Sequence, residues 1–390
     1  MSDQETIDYA NKLVLAPMVR VGTLPMRLTA LDYGADLVWT EELVDKRIIG
    51  SVRKVNVATG AIEYWKGHAM CFSTHEKEKG KVILQLGTAD PDLALQAALT
   101  LKQDVAAVDL NCGCPKKFSV QGGMGAALLS NPEKLKQILV NLVQHSGLPV
   151  SCKIRLLENK EDTIKLVKMI ESTGVKLLTV HCRTKDQRSS TPANWEALKD
   201  IVEAVKTIPV AVNGDIYNYN DFLRAKGLTG CSSAMMARGA QYNPSAFRKE
   251  GPLSYDEAVR TYLKHCVEMD NMYQNTKYVL LSMNTDPKHT KSERYARMQK
   301  AKSNLALCEV FGLESYYHEV KATQAARLEA AKSEKGSENT ETEQQDKENA
   351  TDQSQDAEVG QKRSLEANTP NEKEEAKKLK IDEPVTEDCQ

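Results

Sequence analysis

Short apolar runs rich in β-branched residues alternate with longer amphipathic stretches from residue 13 to residue 237. Strands that alternate with helices pair in parallel, and eight such units are typical of a closed barrel. The pattern therefore predicts an α/β fold that begins with a (β/α)8 TIM barrel. The predicted strands are Leu13–Ala16, Leu37–Trp39, Val82–Leu86, Ala107–Leu110, Val150–Lys153, Leu177–His181, Val210–Asn213 and Ala234–Ala237.

Apolar positions spaced three and four residues apart predict helices between these strands. An open doubly wound sheet is the alternative, but the first strand is followed by Ala-Pro-Met-Val-Arg instead of a Gly-x-Gly-x-x-Gly motif. Residues 41–81 have little regular apolar period, so we expect loops there, at the rim of the barrel. The predicted helices are 91–103, 132–145, 162–173, 194–205 and 218–226.

Beyond the barrel, the pattern predicts helices over 254–271, 275–283 and 291–311, with an extension to about residue 331. Residues 331–390 contain too few large apolar side chains to offset the entropy cost of ordering the segment. We therefore predict a barrel domain over 1–252, a helical domain over 253–330 and a disordered, low-complexity C-terminal tail over 331–390. The large apolar side chains of the tail are Val359, Leu365, Leu379, Ile381 and Val385.

Charge is distributed unevenly along the chain. Residues 331–390 carry 9 Lys and Arg against 17 Asp and Glu, whereas the residues before them carry 43 against 37. A mildly basic body is compatible with a polyanionic partner. Cations between Lys288 and Lys302 form either a solvated helix face or a contact surface for phosphates, and the sequence leaves both open.

The sequence has no secretory signal and no apolar run long enough to span a bilayer, so we expect no membrane association. The nine cysteines have no repeating spacing, which favours a reducing intracellular compartment. We expect the protein in the cytoplasm, the nucleus or both. Lys362-Arg363 and Lys377–Lys380 resemble a bipartite nuclear-import signal.

The loop after the fourth predicted strand carries the strongest functional signal. Cys114 lies between Gly113 and Pro115, which hold its thiol on a constrained turn just beyond Asn111. Because α/β enzymes place their chemistry at strand exits, we interpret this thiol as reactive, with a packing role as the alternative. Cys112-x-Cys114 has no second pair at zinc spacing, so no metal site is predicted.

Polar or cationic residues follow almost every predicted strand. In a barrel the carboxyl ends of all strands share one face, so residues distant in sequence converge there. The set comprises Pro17, Met18, Arg20, Glu41, Gln85, Asn111, Cys114, Lys153, Arg155, His181, Arg183, Asn213, Gly214, Asp215, Ala237, Arg238 and Gly239.

The segments 213–215 and 237–239 follow the last two strands, where barrels build phosphate sites from backbone N–H groups. Arg238 would neutralise such a phosphate. In the alternative, Gly214 and Gly239 serve tight turns alone.

Gln85, Lys153 and His181 would present an amide, a cation and an imidazole to a flat heteroaromatic ring. A cation beside such a ring stabilises electrons delivered to it, which suits a reduced flavin. The alternative is an interior Lys153 paired with Glu41 or Asp109.

With these residues in place, the chain resembles the tRNA-dihydrouridine synthases over residues 11–250. Residues 36–42 and 275–278 are similar to the eukaryotic branch that modifies uridine 20, and the C-terminal tail, in place of a double-stranded-RNA-binding domain, resembles fungal-type members. The matching motifs are Ala16-Pro17-Met18-Val19, Val108-Asp109-Leu110-Asn111-Cys112-Gly113-Cys114-Pro115, Lys153-Ile154-Arg155, His181-Cys182-Arg183 and Val212-Asn213-Gly214-Asp215.

The resemblance implies an FMN that is reduced by NADPH or NADH, and a tRNA substrate without an obligate protein partner. It also implies that hydride passes from the flavin N5 to C6 of a flipped-out uridine while Cys114 protonates C5. Asn111 would hold the uracil edge, and Arg20, Arg155 and Arg183 would anchor phosphates. The implied FMN contacts are Pro17, Met18, Val19, Gln85, Lys153, His181, Asn213, Gly214, Asp215, Ala237 and Arg238.

Two other functions remain open. An FMN-dependent dehydrogenase of the dihydroorotate or dihydropyrimidine type would share the flavin site and the cysteine acid, but would act on a free metabolite. A non-catalytic RNA-binding barrel would retain the fold without the chemistry. Activity on free uridine equal to that on tRNA would favour the first, and a colourless protein would favour the second.

Overall fold

The structure, a computed structural model, describes residues 7–283 and 288–351, with side chains up to residue 333. Within these residues the strands are β1 Leu13–Leu15, β2 Val38–Val44, β3 Val52–Val55, β4 Ile62–Lys66, β5 Ala69–Thr74, β6 Val82–Gly87, β7 Ala107–Cys112, β8 Val150–Leu156, β9 Leu177–Thr184, β10 Val210–Asn213 and β11 Ser233–Met236. The helices are α1 Leu24–Asp32, α2 Asp45–Ile48, α3 Pro91–Leu101, α4 Lys117–Gln121, α5 Pro132–His145, α6 Lys160–Ser172, α7 Trp195–Ala204, α8 Tyr219–Thr229, α9 Arg238–Tyr242, α10 Tyr255–Glu268, α11 Tyr273–Ser282, α12 Glu293–Lys300, α13 Asn304–Val310 and α14 Glu314–Thr351.

Eight parallel strands close into a barrel in the order β1-β11-β10-β9-β8-β7-β6-β2. Each of the eight predicted strands coincides with one of them, so the predicted (β/α)8 TIM barrel is confirmed. The open-sheet alternative is wrong, because β1 pairs with both β2 and β11 and leaves no edge. Four of the five predicted helices lie within two residues of α3, α5, α6 and α7, and α8 runs three residues further than predicted.

Residues 41–81 form regular structure, and the prediction of loops there was wrong. After β2 and α2, strands β3, β4 and β5 make a separate antiparallel sheet. Its core-facing side chains Tyr64 and Phe72 are buried in the main hydrophobic cluster, but every residue of β3 is exposed. Short strands with so little buried surface leave a weak alternation in the sequence, which is why the pattern missed them.

A buried ion pair fastens this inserted sheet to the barrel. The Arg27 guanidinium contacts both carboxylate oxygens of Glu78, with Nε–Oε2 at 2.9 Å and Nη2–Oε1 at 2.7 Å. Arg27 also donates to the carbonyl oxygens of Gly22 and Ser73, and Thr74 Oγ1 donates to Glu78. Arg27 is 2% exposed and Glu78 is fully buried, so both charges depend on this network.

The helical region differs from the prediction in one break. The predicted helix over 291–311 is two helices, α12 and α13. The hydroxyl of Ser303 accepts a hydrogen bond from the Ala306 N–H and so starts a new helix, while Lys277 Nζ donates to the Ala301 carbonyl at the break. Among the described helices, none is long and apolar enough to cross a membrane.

Helix α14 runs to Thr351, well past residue 331, where the sequence predicted the disordered tail to begin. Ala, Glu, Gln and Lys are good helix formers, so a segment with few large apolar residues still favours the helical backbone. The rest of the predicted tail, including both basic clusters, lies outside the described residues. Within the described part of the chain, one compact unit extends to Leu328, and the predicted barrel boundary at 252 falls inside it.

His265 on α10 links the helical region to α1 of the barrel. Its Nε2 lies 2.6 Å from Asp32 Oδ2, and its Nδ1 lies 3.3 Å from Glu268 Oε2 at ion-pair distance without hydrogen-bond geometry. Burial lowers the pKa of His265, but the two carboxylates outweigh it, so that pKa lies above its usual value. The imidazolium form therefore stabilises the folded state.

We expect the melting temperature gained from His265 to be largest below about pH 6.5, the ordinary histidine pKa. It should fall as pH rises from there to the higher pKa of the folded state, because in that range the folded protein holds a proton that the unfolded chain has already lost, and it should level off above that pKa. The measurement compares wild type with His265→Gln across pH 5.5–9. A difference between the two that does not change with pH would contradict a charged His265.

Candidate active site

Alternation along the parallel strands decides which side chains enter the barrel. On β7, Val108 and Leu110 join the cluster between barrel and helices, so Asp109 and Asn111 face the interior. The interior is apolar at the amino ends of the strands, where Ile83 and its neighbours form a second cluster. Polar side chains follow toward the carboxyl ends, where they line the mouth of the barrel.

A chain of hydrogen bonds forms the floor of this mouth. Gln85 Nε2 donates to Asp109 Oδ2 at 2.8 Å, and Asn111 Nδ2 donates to Gln85 Oε1 at 3.0 Å. Ser151 Oγ donates to the other Asp109 oxygen at 2.6 Å. Burial raises the pKa of Asp109, and these donors oppose the shift. Both ends of the Gln85 amide are therefore engaged within the protein.

The turn that carries Cys114 is held from several sides. Asn111 Oδ1 accepts from the N–H groups of Gly113 (2.9 Å) and Cys114 (3.0 Å). Arg155 Nε donates to the Gly113 carbonyl at 2.8 Å, and the Ala126 N–H donates to the Cys114 carbonyl at 2.9 Å. Asn111 and Arg155 thus position the cysteine turn, and the half-buried thiol stays at the mouth.

Lys153 and His181 both face the mouth and are partly exposed to it. Burial lowers the pKa of Lys153 to about 8, with the nearby Arg155 acting in the same direction. Burial, followed by the Lys153 charge, lowers the pKa of His181 far below its usual value, so the imidazole is neutral. Among the described residues, no ion pair within 4 Å neutralises the Lys153 ammonium, so neither Glu41 nor Asp109 is its salt-bridge partner.

An arginine near the end of β9 and an arginine after β11 converge on one carboxylate. Asp215 Oδ1 accepts from Arg183 Nη2 at 2.6 Å and from Arg238 Nη2 at 2.7 Å. Burial raises the pKa of Asp215, but the Arg183 hydrogen bond and charge outweigh it, and that pKa lies below its usual value. Arg183 is 2% exposed and also donates to the Thr191 carbonyl. Arg238 keeps 27% of its side chain exposed and reaches the mouth.

Both glycines of the predicted phosphate site have packing reasons to be glycine. Gly214 has φ +112°, and a Cβ there would lie 3.0 Å from the Ala193 Cβ. A Cβ on Gly239 would lie 2.6 Å from the Tyr217 Cα and carbonyl oxygen. Close packing at tight turns therefore explains Gly214 and Gly239 without a bound phosphate. Of the residues predicted for the phosphate site, Arg238 is the stronger indication that an anion binds there.

Arg20 lies at the rim, between the barrel and α11. Its backbone has φ +65°, its N–H donates to Glu41 Oε1 at 2.5 Å, and its carbonyl accepts from Asn275 Nδ2 at 2.6 Å. Its guanidinium carbon lies 3.9 Å above the centre of the Tyr278 ring. Arg20 is exposed, so its charge is available at the outer edge of the mouth.

The other predicted site residues surround the same opening. Pro17 and Met18 are half-buried after β1, and Val19 is 59% exposed. Asn213 is buried, and its Nδ2 donates to the Met235 carbonyl at 2.9 Å. Ala237 is half-buried at the start of α9.

A family model described as dihydrouridine synthase (Dus) matches residues 14–358, most of the chain. The chain belongs to the dihydrouridine synthase family. The match begins in β1 and covers every barrel strand, the cysteine loop and the helical region.

Curated relatives in this family include fungal enzymes. The tRNA-dihydrouridine(20) synthase of Schizosaccharomyces pombe is 48% identical over 285 residues, covering 70% of this chain and 60% of that protein. The tRNA-dihydrouridine(20) synthase of Saccharomyces cerevisiae is 41% identical over 297 residues, covering 70% of this chain and 77% of that protein. The tRNA-dihydrouridine(20a/20b) synthase of S. pombe is 33% identical, covering 60% and 68%. The chain thus spans less than two thirds of the first relative's length.

Sequence reasoning missed Glu42 and selected its neighbour Glu41. Ser119 Oγ donates to Glu42 Oε1 at 3.3 Å, and the Glu42 carboxylate lies close enough to the Cys114 thiol to act on its pKa. Burial raises the pKa of Cys114, and the negative potential of Glu42 adds to it. The sequence does show two adjacent acids in β2, Glu41 and Glu42. Simple alternation along the strand, however, predicts that Glu41 is the one that faces the barrel interior.

Proposed function

We propose that this dihydrouridine synthase family member reduces the C5–C6 double bond of a uridine in tRNA, at position 20 of the D-loop, with FMN and NADPH or NADH. The observation that carries the proposal is the Cys114 thiol, fixed on a turn at the barrel mouth beside an unneutralised Lys153. Family membership and the names of the two fungal relatives support the tRNA substrate, the position and NAD(P)H.

The residues at the mouth fit a flavin. Lys153 brings a half-buried positive charge that no carboxylate neutralises among the described ion pairs, and Arg238 brings a second, partly exposed charge for a phosphate. Neutral His181 presents a polar group to a flat ring, whereas the buried Gln85 amide is engaged by Asp109 and Asn111 in the floor of the mouth. Pro17, Met18, Val19, Asn213, Gly214, Asp215 and Ala237 border the same opening, with Asp215 orienting Arg238.

A flavin bound there would supply the hydride for C6 of the base. The chain's own part is the proton: burial raises the pKa of Cys114, so the thiol is protonated at neutral pH and acts as a general acid toward C5. Lys153 stabilises negative charge that develops at the mouth. Asn111 and Arg155 hold the cysteine turn, because their polar atoms bind it.

Arg20 is the arginine that this geometry favours for contact with tRNA phosphate. It is exposed at the rim, whereas Arg183 is buried against Asp215. Arg183 thereby helps to hold the carboxylate that also binds Arg238. Arg155 occupies an intermediate place, since part of its guanidinium binds the Gly113 and Thr184 carbonyls. The substrate-binding role is therefore assigned to Arg20, with Asn111, Arg155 and Arg183 as positioning groups.

The test is reduction of a tRNA transcript by the purified chain with FMN and NADPH, followed by mapping of dihydrouridine along the transcript. We expect product at position 20 and a rate on free uridine that is lower by orders of magnitude. Equal rates on free uridine would favour the free-metabolite dehydrogenase. A protein that purifies and stays colourless with added flavin would favour the non-catalytic barrel.

We also propose that the protein works inside the cell, in the cytoplasm, the nucleus or both. The support is that all eight cysteines among the described residues are free thiols. Imaging of the tagged chain, with and without residues 352–390, tests the import signal.

A further inference from the structure

We propose that Glu42 is a positioning residue that holds the Cys114 thiol and returns a proton to it during turnover. This inference rests on the proposed function. When the Cys114 S–H bond breaks and its proton goes to C5, a thiolate remains. The Glu42 carboxyl then gives its proton to that sulfur, and solvent later reprotonates the carboxylate. No electrons move in this relay, and one proton enters for each proton delivered.

The first argument is the fold of β2. In register, Val38 pairs with Val82 and Trp39 with Ile83, but the next paired residue is Glu42, opposite Gln85. One extra residue therefore sits in β2, which is a β-bulge. The bulge reverses the alternation, so that Glu42, and not Glu41, shares the inward face with Gln85. Without it, Glu42 would point toward the surrounding helices.

The second argument is the room made for this carboxylate. A Cβ on Gly87 would lie 2.8 Å from Glu42 Oε1, so a larger residue there would displace the carboxylate. A Cβ on Gly125 would lie 2.6 Å from both Ser119 Oγ and the Cys114 carbonyl. The same Cβ would lie 3.0 Å from the Cys114 Cβ, so the two glycines leave room for the Glu42 carboxylate, the Ser119 hydroxyl and the base of the Cys114 side chain to lie together.

The third argument is protonation. The groups that face Glu42 are the Cys114 thiol and the Ser119 hydroxyl from the cysteine loop and the Lys153 ammonium from β8. Burial raises the pKa of Glu42, and the three neighbours oppose that rise without cancelling it. The Glu42 carboxyl therefore keeps its proton to a higher pH than an exposed glutamate does, as a donor requires. A bound tRNA would cover the mouth and slow direct access of solvent to the sulfur.

The first test needs neither tRNA nor flavin. The rate of Cys114 alkylation by iodoacetamide is measured against pH by peptide mass spectrometry, in wild type and in Glu42→Gln. Removal of the Glu42 charge should lower the thiol pKa and shift the midpoint of alkylation to lower pH. Glu171→Gln is the matched control, because Glu171 lies on the outer helix α6 and accepts hydrogen bonds from the backbone N–H groups of Lys206 and Thr207, which follow α7. An unchanged midpoint in Glu42→Gln would overturn the proposal.

The second test separates the half-reactions of the enzyme. Glu42→Gln should leave reduction of the flavin by NADPH unchanged and slow the subsequent step with tRNA by about tenfold or more. The wild-type rate should fall as pH rises through the Glu42 pKa, and the variant should lack that limb. A purely structural role would lower the rate at all pH values alike. Glu42→Asp, which withdraws the carboxyl by one methylene, provides a second variant with the same expected loss.

The two hypotheses fail in different ways. If the wild-type protein makes no dihydrouridine, the proposed function is wrong. The shift in alkylation midpoint between wild type and Glu42→Gln can still be measured in that case. A wild-type protein that makes dihydrouridine, together with a Glu42→Gln variant of equal rate and pH profile, sinks the role of Glu42 alone.

Discussion

Replacement of Cys114 by alanine is expected to lower dihydrouridine formation on tRNA by about 10²–10⁴-fold, the range for loss of a positioned general acid. The reason is that the variant lacks the thiol, whose proton the proposed mechanism delivers to C5. Flavin affinity should stay close to wild type, because the proposed flavin contacts come from β6, β8, β9 and the turns after β1, β10 and β11. Product is measured by mass spectrometry and flavin binding by absorbance.

Cys71→Ala is the matched control for this experiment. Cys71 is also a free cysteine, but it is buried on β5 of the inserted sheet, where its thiol contacts the Arg47 carbonyl of α2. Its activity should equal that of wild type. Full activity in Cys114→Ala would remove the thiol from the mechanism, and loss of flavin from that variant would show that the cysteine turn also supports the cofactor.

The largest loss of stability should come from Arg27→Met. Removal of one partner leaves the Glu78 carboxylate buried without its counter-ion, a change that costs about 3–5 kcal/mol in other buried pairs. The hydrogen bonds to the Gly22 and Ser73 carbonyls are lost as well. Urea denaturation should show the loss as a lower midpoint at an unchanged slope.

Lys160→Met is the control, since Lys160 pairs with Asp200 at 2.8 Å on the exposed surface. It should leave the urea midpoint unchanged within error. The double variant Arg27→Met with Glu78→Leu should recover part of the loss, because no unpaired charge remains. If the urea midpoint of Arg27→Met equals that of Lys160→Met, the prediction is contradicted, and loss of the Arg27 charge does not destabilise the buried Glu78.

Much of the site could be predicted because a closed parallel barrel brings the carboxyl ends of all its strands to one face, however far apart they lie in the sequence. Once the alternation of strands and helices is recognised, inward-facing residues toward the carboxyl ends of the strands must converge, and Gln85, Lys153 and His181 do so. Their partners could not be predicted in the same way. Asn111 was expected to hold a base, and the structure engages its oxygen with the cysteine turn. Arg183 was expected at a phosphate, and the structure buries it against Asp215.

The sequence by itself determined the strands, the order of the elements, the closed barrel and Cys114 at its mouth, because each follows from spacing between neighbouring residues. The tertiary structure decided the inserted sheet, the Arg27–Glu78 pair and the bulge that turns Glu42 inward. These depend on contacts between segments far apart in the chain. A single extra residue in β2 leaves the hydrophobic pattern almost unchanged, yet it reverses which side of the strand faces the thiol.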